Sequence, residues 1–199
     1  TVRAAAGMAA ITAVSRLVGF VRVLVIAAVL GTTYLGNAFQ SANSVSNVLF
    51  ELVAAGALSA VLVPAFVDLL DADDQQGAEE VAGGVLGVAM VGLGAVAAVG
   101  MVLSPWLAKL LTLGVPADVA PAERRLVAFL LLFFLPQVVM YAAGTVATGV
   151  LHAKRRFLAA AAAPMANTVV MVASLLLFQA SAGSDPSLDI SGSERLLLA

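Results

Sequence analysis

Apolar residues run through this chain in long, nearly unbroken stretches, and their lengths match the width of a bilayer. A spanning helix needs about 20 mostly apolar residues rising about 1.5 Å each. Such stretches cover roughly Ala10–Leu30, Asn37–Val67, Val81–Leu103, Leu126–Leu151 and Phe157–Ala180, and another opens at Arg195. The pattern predicts an all-α polytopic membrane helix bundle of about five spans plus the start of a sixth. The polar separators are Gly31–Gly36, the acidic run Asp68–Glu80, the proline-containing Ser104–Arg125, the basic His152–Arg156 and the Gly/Ser/Asp stretch Ser181–Glu194. They read as loops, none with the make-up of a folded domain. The first span is a poor signal peptide, because Arg16 and Arg22 interrupt its apolar run.

Composition agrees with the pattern. Of 199 residues, 62% are hydrophobic and 11% charged, with a mean hydropathy of +1.06, whereas soluble domains are about 45–50% apolar and about 25% charged. Ten scattered Lys and Arg within a net charge of −2 make no phosphate-tracking stripe, so nucleic acid is excluded as a partner. With no cysteine and the single His152, disulfides, thiolate sites and a histidine pair for zinc are absent from the sequence. No cofactor or metal is implied. No nucleophile elbow or phosphate loop is present, so an enzyme is not expected.

Charge alone leaves the orientation open. If odd helices run outward, Arg3 and Lys154–Arg156 lie inside while Lys109, Arg124, Arg125 and Arg195 lie outside, an even division under the positive-inside rule. Trp106 fits the aromatic belt at the outer interface. The pair Gly83 and Gly87 has the spacing that admits close helix packing, within the monomer first and at a dimer face second.

Arg16 and Arg22 carry the most information. Each costs about 2.5–3.5 kcal/mol at the centre of an isolated spanning helix, and the apolar neighbours at about 0.3–0.6 kcal/mol each return a similar amount. Insertion is therefore near break-even. At about 100° per residue the two arginines lie about 60° to either side of Gly19 and about 9 Å apart along the axis. Two guanidiniums around a residue without a side chain leave room for a bulky anion, and their forked donors suit phosphate oxygens. The alternative is that both arginines snorkel or pair with acids in a protein interior.

The second span has a matching face: Asn37, Gln40, Ser44, Asn47 and Glu51 fall within an arc of about 80°. Turned toward the arginines, this stripe would let Glu51 neutralise a guanidinium or carry a proton in coupled transport. The other reading starts the helix near Asn47 and leaves the preceding segment as an outer loop. Pro64, Pro136 and Pro164 punctuate the spans, and an interior proline frees a carbonyl that membranes tolerate beside neighbours or cavity water. Such interruptions favour a transporter over a plain anchor.

Three ordered blocks carry a family resemblance. Ser15-Arg16-Leu17-Val18-Gly19-Phe20-Val21-Arg22, then Gly31 and Asn37-Ala38-Phe39, resembles S-R-x-x-G-x-x-R, F-G and D-A-F of the MurJ/MviN lipid II flippases, members of the MOP exporter superfamily. Gly56-Ala57-Leu58-Ser59 with Val63-Pro64 resembles that family's E-G-A-x-S-x-x-F-V-P. Leu135-Pro136, Tyr141, Gly149, Leu151-His152-Ala153, Arg156-Phe157, Ala163-Pro164 and Asn167 resemble its fourth and fifth helices and the loop between them. The likeness runs from about Met8 to Phe178.

The resemblance implies an all-helical transporter with two pseudo-symmetric lobes around a cavity, moving the undecaprenyl-diphosphate-linked precursor lipid II by alternating access. This chain would be the N-terminal portion, one lobe in the cytoplasmic (inner) membrane with its N-terminus and Lys154–Arg156 in the cytoplasm. Arg16 and Arg22 would contact the pyrophosphate, with Ser15 and Gly19 beside them at the substrate. Membrane lipids and cell-wall synthesis proteins are the further partners implied. The family's acid in D-A-F is Asn37 here, its basic pair in the second helix aligns with Phe50-Glu51, and the Glu before Gly-Ala is Ala55. The charge balance of the cavity therefore departs from the family pattern. High Ala, Val and Gly content suits an actinobacterial source. Rival readings are an exporter of another lipid-linked oligosaccharide or a drug, and a membrane scaffold that recruits cell-wall machinery and uses its buried charges only for helix pairing.

Overall fold

A computed structural model of the chain describes residues 2–53, 75–153, 157–182 and 192–199. Among them the helices are α1 (Val2–Leu30), α2 (Tyr34–Val53), α3 (Gln75–Val102), α4 (Ser104–Leu111), α5 (Ala120–Ala153), α6 (Phe157–Ala182) and α7 (Gly192–Leu198). The Gly56–Ser59 and Val63–Pro64 block, the second half of the expected second span, and Lys154–Arg156 lie outside the described residues.

Stretches long and apolar enough to cross a membrane are Ala13–Leu30, Ala120–Thr148 and Met165–Ala182. A further one arises if Met90–Val102 and Ser104–Leu111 count together, although they are bent by 70° at their junction. The separator Ser104–Arg125, read as loop from its polarity, is therefore partly helical. Pro105 sits in the first turn of α4, where the missing N–H has no intrahelical partner to lose. Glu123 in the first turn of α5 complements the positive end of that helix, which begins at Ala120 and not at Leu126.

The turn between α1 and α2 is fixed locally. Gly31 ends α1 in the left-handed region at φ 61°, and its N–H donates to the Ala27 carbonyl at 3.1 Å. Thr33 Oγ1 donates to the Leu30 carbonyl at 2.7 Å and accepts the Gly36 N–H at 3.2 Å, which makes it the N-cap of α2. That cap starts the helix at Tyr34, ahead of the expected Asn37. A Cβ at Gly36 would stand 2.6 Å from the Gly31 carbonyl oxygen, so the two helices approach this closely only with glycine there.

The central helix is α5, which packs against α2, α3, α4 and α6, while α1 lies mainly along α6. Its buried positions Leu126, Val127, Leu130, Leu131, Phe134, Leu135, Val138 and Ala142 recur at three- and four-residue intervals. Against them sit Phe39, which meets Phe134 edge-on at 5.4 Å, and Ala38 and Ala42 of α2. Ser46 Oγ donates to the Phe134 carbonyl at 2.7 Å, a polar tie in an otherwise apolar seam. Close packing of α3 occurs at Gly100, where an added Cβ would lie 3.1 Å from Leu135 Cδ1. At Gly83 and Gly87, where the sequence suggested it, no described atom comes within 4 Å of such a Cβ.

Large apolar side chains face outward along several helices, among them Leu17, Phe20 and Val23 of α1 and Val88, Val91 and Val102 of α3. A water-facing surface does not tolerate a continuous apolar cover of this kind. Hydrocarbon or further protein does, and packing contacts rather than apolar burial then hold such helices together.

Candidate functional site

A cavity of about 640 Å³ opens among α1, α2, α5, α6 and the end of α7. Arg22 brings a permanent cation to its wall, and it is half-buried there. Around it stand the neutral polar side chains Asn43 of α2, Gln137 and Tyr141 of α5, and Asn167 and Ser174 of α6. The rest of the lining is apolar, including Phe39, Met140 and Met171. A cavity of roughly 300–1,000 Å³ with a few convergent polar groups in apolar walls is the usual form of a small-ligand site.

Local sequence explains each position. Gln137 and Tyr141 are one turn apart on α5, and Gln137 Nε2 donates to Tyr141 Oη. Phe50 packs edge-on against the Tyr141 ring at 5.6 Å and so fixes its tilt. Pro136 lines the same cavity and lacks the N–H that would have reached back one turn along α5. A guanidinium, amides and hydroxyls in one low-dielectric wall can hold an anion with several oxygens.

The other expected site residues are placed differently. Arg16 is exposed, and neither it nor the half-buried Ser15 and Gly19 lines this cavity. No described atom lies within 4 Å of where a Gly19 Cβ would be, so the space beside it is open. The stripe on α2 does share one face, and Gln40, Ser44 and Glu51 are exposed while Asn47 is half-buried. Gln40 and Ser44 line a separate shallow groove of about 450 Å³ with Ser41 and Val48. The α2 residues that line the cavity with Arg22 are Phe39 and Asn43, on the neighbouring face.

Asn37 has a partner that sequence reasoning missed. Its Nδ2 donates to Glu123 Oε1 at 2.6 Å, across 86 residues of sequence. Glu123 is fully buried, and its Oε2 has no hydrogen-bond partner among the described residues. In the sequence this acid falls within the separator Ser104–Arg125, which reads as loop. Asn43, Gln137 and Ser174 were likewise missed as site residues, because isolated neutral polar residues in apolar helices carry no spacing signal. Tyr141 and Asn167 stood out only as members of the family blocks.

Comparison with known proteins gives a consistent picture. Residues 26–193 match the sequence family described as "Lipid II flippase MurJ". The chain is 30% identical over 173 residues to a probable lipid II flippase MurJ of Rhizobium tropici, covering 86% of this chain and 32% of that protein. It is 31% identical over 162 residues to the probable lipid II flippase MurJ of Rhizobium meliloti (strain 1021), covering 81% of this chain and 30% of that protein. The chain thus spans about a third of the length of these relatives. No solved structure matches it.

Proposed function

This chain belongs to the lipid II flippase MurJ family, and from that membership we propose that it forms the first lobe of a transporter that carries lipid II across the cytoplasmic membrane for cell-wall synthesis. The observation that carries the reading is Arg22 on the wall of the 640 Å³ cavity between apolar helices. A buried-facing guanidinium is costly in hydrocarbon unless a cavity, water or an anion meets it. A diphosphate supplies charge and forked acceptors, Asn43, Gln137 and Asn167 supply donors and acceptors for sugar hydroxyls, and the prenyl tail stays in the bilayer. Arg16, Ser15 and Gly19 extend the contact toward the open side of α1.

In this reading the lobe has five spans and the first turns of a sixth. The second begins with α2, the third is α3, and α7 begins the sixth. The N-terminus and Lys154–Arg156 face the cytoplasm. Gln40, Ser44, Asn47 and Glu51 of the stripe form the polar, coupling face that opens and closes against the other lobe, while Asn37 is held against α5 by Glu123. Because the described chain has no cysteine, single cysteines at Lys154 and Asp118 can report orientation: an impermeant maleimide should label the first from the cytoplasm and the second from outside. The reverse pattern overturns the orientation.

The function itself is tested by depleting the full-length protein in cells fed a labelled precursor. Outward flux of lipid II should fall. Unchanged flux in cells with no compensating flippase would rule out this role.

A further inference from the structure

The short helix α4 and the start of α5 form a charged corner that the head-group cavity does not use. The axis turns by 70° between α3 and α4. Ser104, Ala108 and Leu111 lie within an arc of about 60° on α4, and Trp106, Lys109 and Leu110 occupy about 100° on the opposite side. The first set packs inward, with Ser104 and Ala108 buried. The second faces out: Trp106 is 72% exposed and Leu110 63%, and the following Leu113 is 75% exposed.

The charges are gathered on the same corner. Lys109 Nζ stands 5.2 Å from the centre of the Trp106 ring, so ammonium and indole occupy one place. Arg124 Nε donates to Thr112 Oγ1 at 3.2 Å, which ties the start of α5 to the C-cap of α4. The neighbouring Arg125 is exposed, its Nε donating to the Pro121 carbonyl at 3.2 Å. Of the acids nearby, Asp118 is exposed, whereas Glu123 is buried and held by Asn37. The outward balance is cationic.

Depth follows from length. The charge-free part of α5 from Leu126 to Leu151 already measures about 39 Å, more than the ~30 Å hydrocarbon core. Arg124, Arg125 and the α4 helix that packs on α5 therefore lie at head-group level, where an indole is at home and phosphates are the abundant anions.

We propose that α4 and the first turn of α5 form a docking site for anionic phospholipid head groups, with Lys109 and Arg125 taking the phosphate and Trp106, Leu110 and Leu113 resting on the upper acyl chains. The site is separate from the Arg22 cavity and holds a resident lipid rather than a transported one.

Trp106 is the only tryptophan of these residues and is itself the reporter. Full-length protein is reconstituted in mixtures of phosphatidylglycerol and phosphatidylcholine, one of them brominated. The Trp106 signal is the difference between this protein and its Trp106→Phe variant. Brominated phosphatidylglycerol should quench that signal beyond its mole fraction, bromines near the head group quenching more than bromines near the chain end. Lys109→Gln with Arg125→Gln should weaken the selectivity about fivefold per cation, the equivalent of the ~1 kcal/mol that one Lys or Arg gains at an anionic surface. Quenching that only tracks mole fraction overturns the proposal. So does stronger quenching by deep bromines, which would place α4 inside the hydrocarbon as half of a broken span. Absence of quenching by either lipid would mean that protein covers α4, and overturns it as well.

Discussion

Arg22 and Glu123 are both ionisable groups carried on long apolar helices, and the fold treats them in opposite ways. Arg22 stands on the wall of a cavity among neutral polar side chains of α2, α5 and α6. Glu123 has no exposed surface, and among the described residues the Asn37 amide meets one of its oxygens. A charge that keeps access to a cavity can exchange water for a ligand. A charge enclosed against a neighbouring helix fixes that helix and has nothing to exchange. If the proposed function holds, ligand binding falls to the α1 side of the cavity, and structural registry between α2 and α5 falls to the buried acid.

Replacing each group separates these roles. Arg22→Ala should lower transport of lipid II by the full-length protein about 10–100-fold, the range expected for losing charge-assisted hydrogen bonds of about 1.5–3 kcal/mol. Its level in the membrane and its melting temperature should stay near those of the parent. Flux measured with a labelled precursor checks the first part, and immunoblots with thermal melts check the second. An Arg22→Ala protein that fails to accumulate would move Arg22 to the structural side of the comparison.

The buried pair should show the reverse pattern. Asn37→Ala strands the Glu123 carboxylate without its donor, and stability should drop by about 1–3 kcal/mol. Glu123→Gln removes the charge but keeps an acceptor for the Asn37 amide, so its loss should be smaller, and removal of a buried charge can even raise stability. Thermal melts in detergent compare the two. Equal losses would mean that the carboxylate charge itself holds the helices.

At the turn that aims Asn37, Gly36→Ala forces a Cβ against the Gly31 carbonyl oxygen. Overpacking at such a contact costs about 1–3 kcal/mol, and backbone on both sides leaves no flexible side chain to give way. A lower melting temperature with residual transport is expected, because the turn lies away from Arg22. The smallest structural effect belongs to Glu51→Gln: the side chain is exposed, and its melting temperature should not move. A change in transport with unchanged melting would sharpen the assignment of the stripe to coupling, and no change in either would remove it.

Much of this fold could be read from the chain because length and apolarity are local properties. The spans of α1, α5 and α6 and the helical class follow from them directly. The bend before α4 did not, since Pro105 and Trp106 read as the end of a helix and not as the start of another. Arg22 was legible because a cation in an apolar run is expensive wherever it packs. Its companions Asn43, Gln137 and Ser174 were not, because a neutral polar residue in such a run is cheap, and only the packing of α2, α5 and α6 gathers them. The Asn37–Glu123 bond is the extreme case: its partners are joined by tertiary structure alone, and each has an adequate local explanation without the other.

The most direct measurement is the affinity of purified full-length protein for lipid II, compared with its Arg22→Gln and Asn37→Ala variants. A diphosphate site on Arg22 requires that Arg22→Gln weaken binding about 10–100-fold at unchanged melting temperature, and that Asn37→Ala lower the melting temperature while the folded protein binds normally. Undiminished affinity in Arg22→Gln would contradict it.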